Sequence, residues 1–267
     1  MLALLAGSLA AGLMVEPPGA AAQATPVTRH YIANLHGSTA PQQLGYDVFD
    51  VDNNPVAIDA LPDGVQAMVW LGQLCPTPAD DAFKATIQGL ATDPKVYGYF
   101  LADEPHSRSC PDGPTALASR ADFIRQVTGG AQKSMIALYR NINYKAFRPA
   151  VSHVDLFGID PYPCSTSHPT CDLSLIHDRV HAARARGIPL KRIVPVYQAF
   201  GQSARTVYHY YNLPTVTQMK AMLKRWHTLV PHPQLDFTYS WGHQPNANPT
   251  LQDSTGLKRL FKKYLAG

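Results

Sequence analysis

Residues 96–105 read Val96-Tyr97-Gly98-Tyr99-Phe100-Leu101-Ala102-Asp103-Glu104-Pro105, an apolar and aromatic run broken off by two carboxylates and a proline. The run reads as a strand, and the charged residues after it mark the place where the chain leaves a sheet. Seven further runs of apolar, β-branched or aromatic residues lie at 30–34, 46–50, 65–70, 134–138, 154–159, 193–197 and 235–239. Helix-compatible stretches fall between them, the pattern of repeated βα units around a parallel sheet.

The clearest helices are in the second half, where Leu173, Ile176, Val180 and Ala183 follow helical spacing, as do Met219, Leu223, Trp226 and Val230. Phe83, Ile87 and Leu90 mark a helix in the third unit, and Leu117, Ile124 and Val127 one in the fourth. Residues 38–45 and 54–64 leave little room for full helices, so the first two crossovers are short. Eight strands close a barrel, and such a barrel typically uses about 250 residues. The expected fold is therefore α/β, a single-domain (β/α)8 TIM barrel over residues 25–267. A doubly wound open sheet is the alternative, but no GxGxxG or phosphate loop follows the first run.

Hydrophobic residues at 45% and charged residues at 16% place the chain far from the disordered class. The formal charge of +4 is mildly basic. Its only basic cluster, Lys258, Arg259, Lys262 and Lys263, reads as a solvated helix face, since no nucleic-acid reading motif accompanies it. No nucleic-acid partner is expected, and a monomer is. Residues 1–24 combine an apolar stretch from Leu2 to Met14 with Ala22-Gln23-Ala24, a small-x-small cleavage pattern, although a basic start is missing. They read as a signal peptide. Its removal takes away one charged residue, Glu16, and leaves a charge of +5. The expected destination is secreted, extracellular or periplasmic, with no stable membrane insertion after cleavage.

Export gives meaning to the four cysteines, because disulfides persist in oxidising compartments. Cys164 and Cys171 share one Pro- and Ser-rich loop, and Cys75 and Cys110 follow the adjacent third and fourth strands. Pairs 75–110 and 164–171 are expected. Zinc is the rival, but neither CxxC nor HExxH occurs. His177 and His181 are four apart on a helix, yet no third ligand matches them, so they read as surface. No metal and no cofactor is expected.

In barrels of this kind the active site is built at the carboxyl ends of the strands. Those ends carry His36, Asp50 and Asp52, Trp70 and Gln73, then Asp103, Glu104 and His106. Further along are Tyr139, Arg140 and Asn141, then Asp160 and Tyr162, Gln198, and finally Trp241, His243 and Gln244. Carboxylates, amides and aromatics suit sugars, whose hydroxyls need directional partners and whose apolar ring faces pack on Trp and Tyr. Glycoside hydrolysis uses two carboxyl groups, one protonating the leaving oxygen and the other attacking or activating water. The aromatic run Tyr208, His209, Tyr210 and Tyr211 follows the seventh strand and is read as glycan-binding, or as tying down its loop.

The strand ending in Asp103-Glu104-Pro105 resembles the acid-bearing fourth strand of (β/α)8-barrel glycoside hydrolases. The resemblance implies Glu104 as proton donor. Many such families read Asn-Glu-Pro here, whereas the Asp-Glu pair is similar to that of barrel hexosaminidases that use the substrate's own acetamido group as nucleophile. Residues 156–163, with Asp160 and Tyr162, resemble segments carrying an aromatic subsite residue. Ser240-Trp241-Gly242 resembles the eighth-strand Trp that floors a sugar pocket.

One departure matters. The large retaining clan places a nucleophilic Glu at the end of strand seven, where this chain has Gln198. Asp103 and Asp160 are the expected partners of Glu104, with substrate assistance through Asp103 as one route. Asp103 and Glu104 are adjacent, so both enter one cleft only if the chain bends there. Pro105 permits such a bend.

His36, Asp50, Asp52, Trp70, Tyr139, Tyr162, Gln198 and Trp241 are expected to bind substrate. The expected function is a secreted glycosidase acting on a poly- or oligosaccharide. The alternatives are a non-catalytic carbohydrate-binding barrel and, more distantly, a metal-dependent deacetylase built on His36, Asp50 and Asp52.

Overall fold

The computed structural model describes residues 27–139, 141–168, 170–203 and 209–266. The expected signal peptide, Arg140 and Tyr208 lie outside the described residues.

All eight runs are strands: β1 (Arg29–Ile32), β2 (Val48–Asp52), β3 (Gln66–Trp70), β4 (Val96–Asp103), β5 (Lys133–Leu138), β6 (Leu156–Ile159), β7 (Ile193–Gln198) and β8 (Leu235–Tyr239). Each pairs in parallel with the next, and β1 pairs with β8, so the sheet closes into a (β/α)8 barrel. The outer layer is α1 (Pro55–Asp59), α2 (Asp81–Leu90), α3 (Gly113–Thr128), α4 (Asn141–Ala146), α5 (Pro149–Ser152), α6 (Ser174–Ala185), α7 (Val216–Leu229) and α8 (Thr255–Leu265). The first crossover is a single 3-10 turn, Ala40–Leu44, entered through Pro41, and the second is the five-residue α1. Both are as short as their sequence spacing requires.

Strand side chains alternate between two buried layers. Inside the barrel lie Tyr31, Val48, Met68, Phe100, Met135 and Phe237. Between barrel and helices lie Ile87, Leu117, Ile124, Val180, Met219 and Trp226, the apolar stripes that the helical spacing marks out. Phe123 is half-buried against Phe83, with ring centroids 6.5 Å apart. On α8, Arg259, Lys262 and Lys263 are exposed.

The alternation breaks once where it matters. Phe100 belongs to the inner layer, but Leu101 and Ala102 both belong to the outer one, and the β4–β5 register shifts between Phe100 and Ala102. A bulge of this kind re-aims the next side chain, and here it turns Asp103 inward. Close pairing of β4 with β5 also depends on Gly98, where a Cβ would stand 2.2 Å from the Lys133 carbonyl oxygen.

Disulfides join Cys75 to Cys110 and Cys164 to Cys171, with Cα atoms 5.4 and 4.1 Å apart. The first ties the loop after β3 to the loop after β4, and the second closes the loop after β6. Among the described residues no helix is long and apolar enough to cross a membrane.

Candidate active site

A cleft of about 480 Å³ opens at the carboxyl ends of the strands. Asp103 and Glu104 both line it. The bend that this requires is made by the bulge and by Glu104 itself, whose φ of 46° lies in the left-handed region that non-glycine residues rarely occupy. The Glu104 backbone N–H donates to the Ala137 carbonyl oxygen at 3.1 Å, which fixes the turned residue to the neighbouring strand.

Asp160 enters from the end of β6 and is only 2% exposed. Its side chain is hydrogen-bonded to that of Glu104. Two carboxyl groups can share such a bond only by sharing a proton. Burial first, and then the nearby charge of Glu104, push Asp160 well above the usual carboxylate range. Burial favours the protonated form of Asp160, and Glu104 is the member of the pair exposed to the cleft. The second oxygen of Asp160, Oδ1, is buried and has no hydrogen-bond partner among the described residues.

Asp103 is pushed up to about 7 by burial, with the charges of Glu104 and Asp50 adding to it. Asp50, from β2, is held in place by the Tyr31 hydroxyl and the Asn34 backbone N–H, each donating at 3.2 Å. Those two bonds favour its charged form, but burial outweighs them and lifts it to about 6. Asp52 also lines the cleft and is exposed. The mouth thus holds a row of carboxyl groups, two of which, Asp50 and Asp103, change protonation near neutral pH.

Aromatic rings form the walls. Trp70, 36% exposed, stacks on Phe100 with centroids 4.7 Å apart and an interplanar angle of 28°. Opposed to this exposed indole face is a cluster in which Tyr162 meets Phe200 at 5.0 Å, Tyr211 at 5.7 Å and Tyr239 at 6.1 Å. Gln244 donates to the Asn34 side-chain oxygen at 2.6 Å and accepts from the Tyr239 hydroxyl. Gln202 accepts from the backbone N–H groups of Tyr210 and Tyr211 at 2.9 and 3.2 Å, holding Tyr211 at the cleft.

The structure thus brings Asp50, Asp52, Trp70, Asp103, Glu104, Asp160 and Tyr162 together. Four other expected binding residues stand elsewhere. Gln198 is fully buried, and its amide is spent on the Cys164 backbone N–H and carbonyl, both at 2.8 Å, and on the Asn212 carbonyl. It latches the loops after β6 and β7 together and does not face the cleft. Trp241 is buried in the outer layer, with the Lys258 ammonium of α8 6.0 Å from its ring, so it packs between barrel and helices and is not among the residues that line the cleft.

His36 is exposed, bonded to the His243 carbonyl at 2.8 Å, and lines an adjoining depression of about 440 Å³ that shares Asp50 and Asp52 with the cleft. Tyr139 stands behind the wall, with the Arg179 guanidinium 5.5 Å from its ring and its hydroxyl bonded to Tyr211. Among the described residues no three His, Cys, Asp or Glu side chains come together as a metal site, so His36, Asp50 and Asp52 do not form the ligand set that a metal-dependent deacetylase needs. His177 and His181 stack on each other at 4.1 Å on the exposed face of α6.

Asn34, Phe100, Phe200, Gln202, Tyr211, Tyr239, Gln244 and Asn246 also line the cleft. Gln244 and Tyr211 were visible as strand-end and aromatic-run residues; the rest carry no motif and become legible only once the strand ends are known.

No family model matches the chain, and no curated protein matches it in sequence. Solved structures do match it in fold. The β-glucuronidase from Ruminococcus gnavus superposes with a TM-score of 0.57 at 9% identity, covering 90% of this chain and 50% of that one. The same enzyme in complex with D-glucaro 1,5-lactone gives 0.57 at 10% identity with the same coverage. A calcium-binding mutant of Bacteroides uniformis β-glucuronidase 2 gives 0.51 at 10% identity, covering 83% of this chain and 32% of that one. The chain therefore has the barrel fold found in glycoside hydrolases, and it spans half or less of the length of these structures.

Proposed function

We propose that this protein is a secreted glycoside hydrolase that cuts a poly- or oligosaccharide by carboxylate acid/base catalysis, with Glu104 delivering the proton. The observation that carries this reading is the convergence of Asp103, Glu104 and Asp160 in one aromatic-walled cleft, with a proton shared between the last two. Two disulfides favour an oxidising compartment and hence secretion. Residues 25–267 are the domain that does the work, after removal of residues 1–24.

Glu104 is the exposed member of the proton-sharing pair, so it is the one that reaches a bound glycan. Glu104 gives the proton it shares with buried Asp160 to the departing oxygen as the glycosidic C–O bond breaks. A carboxyl group that stays protonated near neutral pH is what this step requires. Asp103 serves the second half of the reaction. On a sugar without a participating group, its ionised form acts as the second carboxylate, and water finally adds its hydroxyl to the anomeric carbon. On an N-acetylated sugar, Asp103 orients the acetamido group that attacks in its place. Gln198, buried at the end of β7, supplies neither role.

The test is reducing-end release by the purified protein from a panel of bacterial, fungal and plant polysaccharides, N-acetylated ones included. Release from at least one is expected. Binding to a glycan with no release from any would overturn the reading in favour of a carbohydrate-binding barrel.

A further inference from the structure

The last two helices carry the positive charge of the molecule. α7 holds Lys220, Lys224 and Arg225, and α8 holds Lys258, Arg259, Lys262 and Lys263, seven of the chain's 23 Lys and Arg. Neither helix contains any of its 19 Asp and Glu. The rest of the chain has 16 Lys and Arg against those 19, a charge of −3, so the net +4 comes from these two helices alone. In sequence only the α8 cluster stands out; the fold packs α7 against it, so closely that a Cβ on Gly256 would stand 2.8 Å from the Val216 side chain.

Elsewhere surface cations have partners, as Arg29 has Asp47, Lys84 has Asp81 and Arg125 has Asp122 and Asp155. Among the described residues none of the seven forms an ion pair. The neighbouring carboxylates are engaged. Asp253, just before α8, holds His243 at 2.7 Å and the Thr250 backbone N–H at 2.8 Å, Asp178 of α6 holds His177 at 3.1 Å, and buried Asp236 holds His30 at 3.0 Å. The second observation is a groove of about 780 Å³ at the end of the barrel opposite the cleft. Lys220 and His227 of α7, Lys263 of α8 and His232 of the loop before β8 all line it.

We propose that the α7–α8 face is a docking surface for an acidic glycan, a polymer bearing carboxylate or sulfate groups, with the groove between Lys220 and Lys263 as its deepest point. Like charges gathered without counter-charges repel one another, and an anionic polymer laid across them relieves this. The helices are about 16 and 21 Å long at 1.5 Å per residue, so the cations are strung out to meet repeated charges and not a single anion. Five of the seven are Lys, whose ammonium acts as a point charge and takes anions in any orientation. Single-stranded nucleic acid asks for exposed aromatic platforms, and a membrane surface for an exposed apolar face. Neither helix offers a large exposed hydrophobic side chain, because Met219, Leu223 and Trp226 of α7 and Leu257 and Phe261 of α8 are buried. Such a surface would hold the protein on an acidic matrix while leaving the cleft, at the other end of the barrel, open. It is independent of what the cleft does.

The experiment measures binding of the purified protein to chondroitin sulfate, uncharged dextran, single-stranded DNA and vesicles of phosphatidylserine and phosphatidylcholine. Chondroitin sulfate is expected to bind and dextran not, with the affinity falling on the order of tenfold between about 0.05 M and about 0.3 M salt. Lys220→Glu together with Lys263→Glu should weaken binding on the order of tenfold or more, and Lys224→Glu with Lys262→Glu should do the same. Lys84→Glu with Lys145→Glu, an equal change of charge on α2 and α4, should leave the affinity within about twofold. All three double variants change exposed side chains and should keep the wild-type Tm. Equal losses in the α7–α8 and α2–α4 variants would show that net charge alone is at work and would overturn the proposal. Failure to bind chondroitin sulfate, or tighter binding of DNA or vesicles, would overturn it as well.

Discussion

Asp103→Asn keeps the shape of the side chain and removes its charge. In the folded protein the Asp103 carboxyl is raised from 3.8 to about 7, burial being the largest cause. A shift of about 3 units at about 1.36 kcal/mol each comes to about 4 kcal/mol, and allowing for water at a half-buried group gives about 2–4 kcal/mol. The sign follows from linkage. Below pH 4 the carboxyl is protonated in both states and contributes nothing. Between pH 4 and 7 the unfolded chain releases the proton while the folded one retains it, so stability falls as pH rises, and above about 7 the full cost is present.

Asn carries no such cost. Urea unfolding should therefore show the variant gaining about 2–4 kcal/mol on wild type between about pH 4 and about pH 8, or roughly 5–15 °C in Tm at the alkaline end. The same substitution should lower kcat by about 10²–10⁴-fold, the usual contribution of a positioned acid or base. A variant whose stability tracks wild type at both pH values would show that Asp103 ionises freely, and the electrostatic account of the cleft would fail.

Three further outcomes are expected. The kcat/KM of wild type should rise through about pH 7 as Asp103 ionises, and Asp103→Asn should remove that limb from the residual activity. Replacing Cys75 and Cys110 together by Ser opens a crosslink between residues 35 apart and should cost about 3–4 kcal/mol, read by thermal unfolding with and without reductant. Gly98→Ala forces a Cβ against the Lys133 carbonyl oxygen and should destabilise by about 1–3 kcal/mol or more, read by urea unfolding.

The barrel was legible because a strand covered on both faces is a compact apolar run, and eight such runs are present. Residues 235–239 coincide with β8, whereas β4 runs on into Asp103, the first of the two carboxylates that break off its apolar run. Polar residues within reach of the barrel mouth do not show in a hydrophobic pattern where a strand stops. The convergence of Asp103 and Glu104 was legible only as a condition, a bend. Its cause, a bulge between Phe100 and Ala102 and a left-handed Glu104, leaves no mark in residue type.

Gln198 and Trp241 illustrate the limit on the other side. Both stand at strand ends and both have chemistry suited to sugars, but tertiary contacts decided where they point. The Cys164–Cys171 loop captures the Gln198 amide, and the chain after β8 turns Trp241 outward toward α8. Sequence position names the rim of a barrel more readily than it tells which rim residues face inward.

The most direct measurement is kcat for Glu104→Gln beside wild type on whichever glycan releases reducing ends, with binding of that glycan followed in parallel. Gln preserves the size of the side chain and its bond to Asp160 but has no proton to deliver. The account predicts a loss of about 10²–10⁴-fold in kcat with glycan binding retained. Undiminished turnover in the variant would remove Glu104 from the mechanism and contradict it.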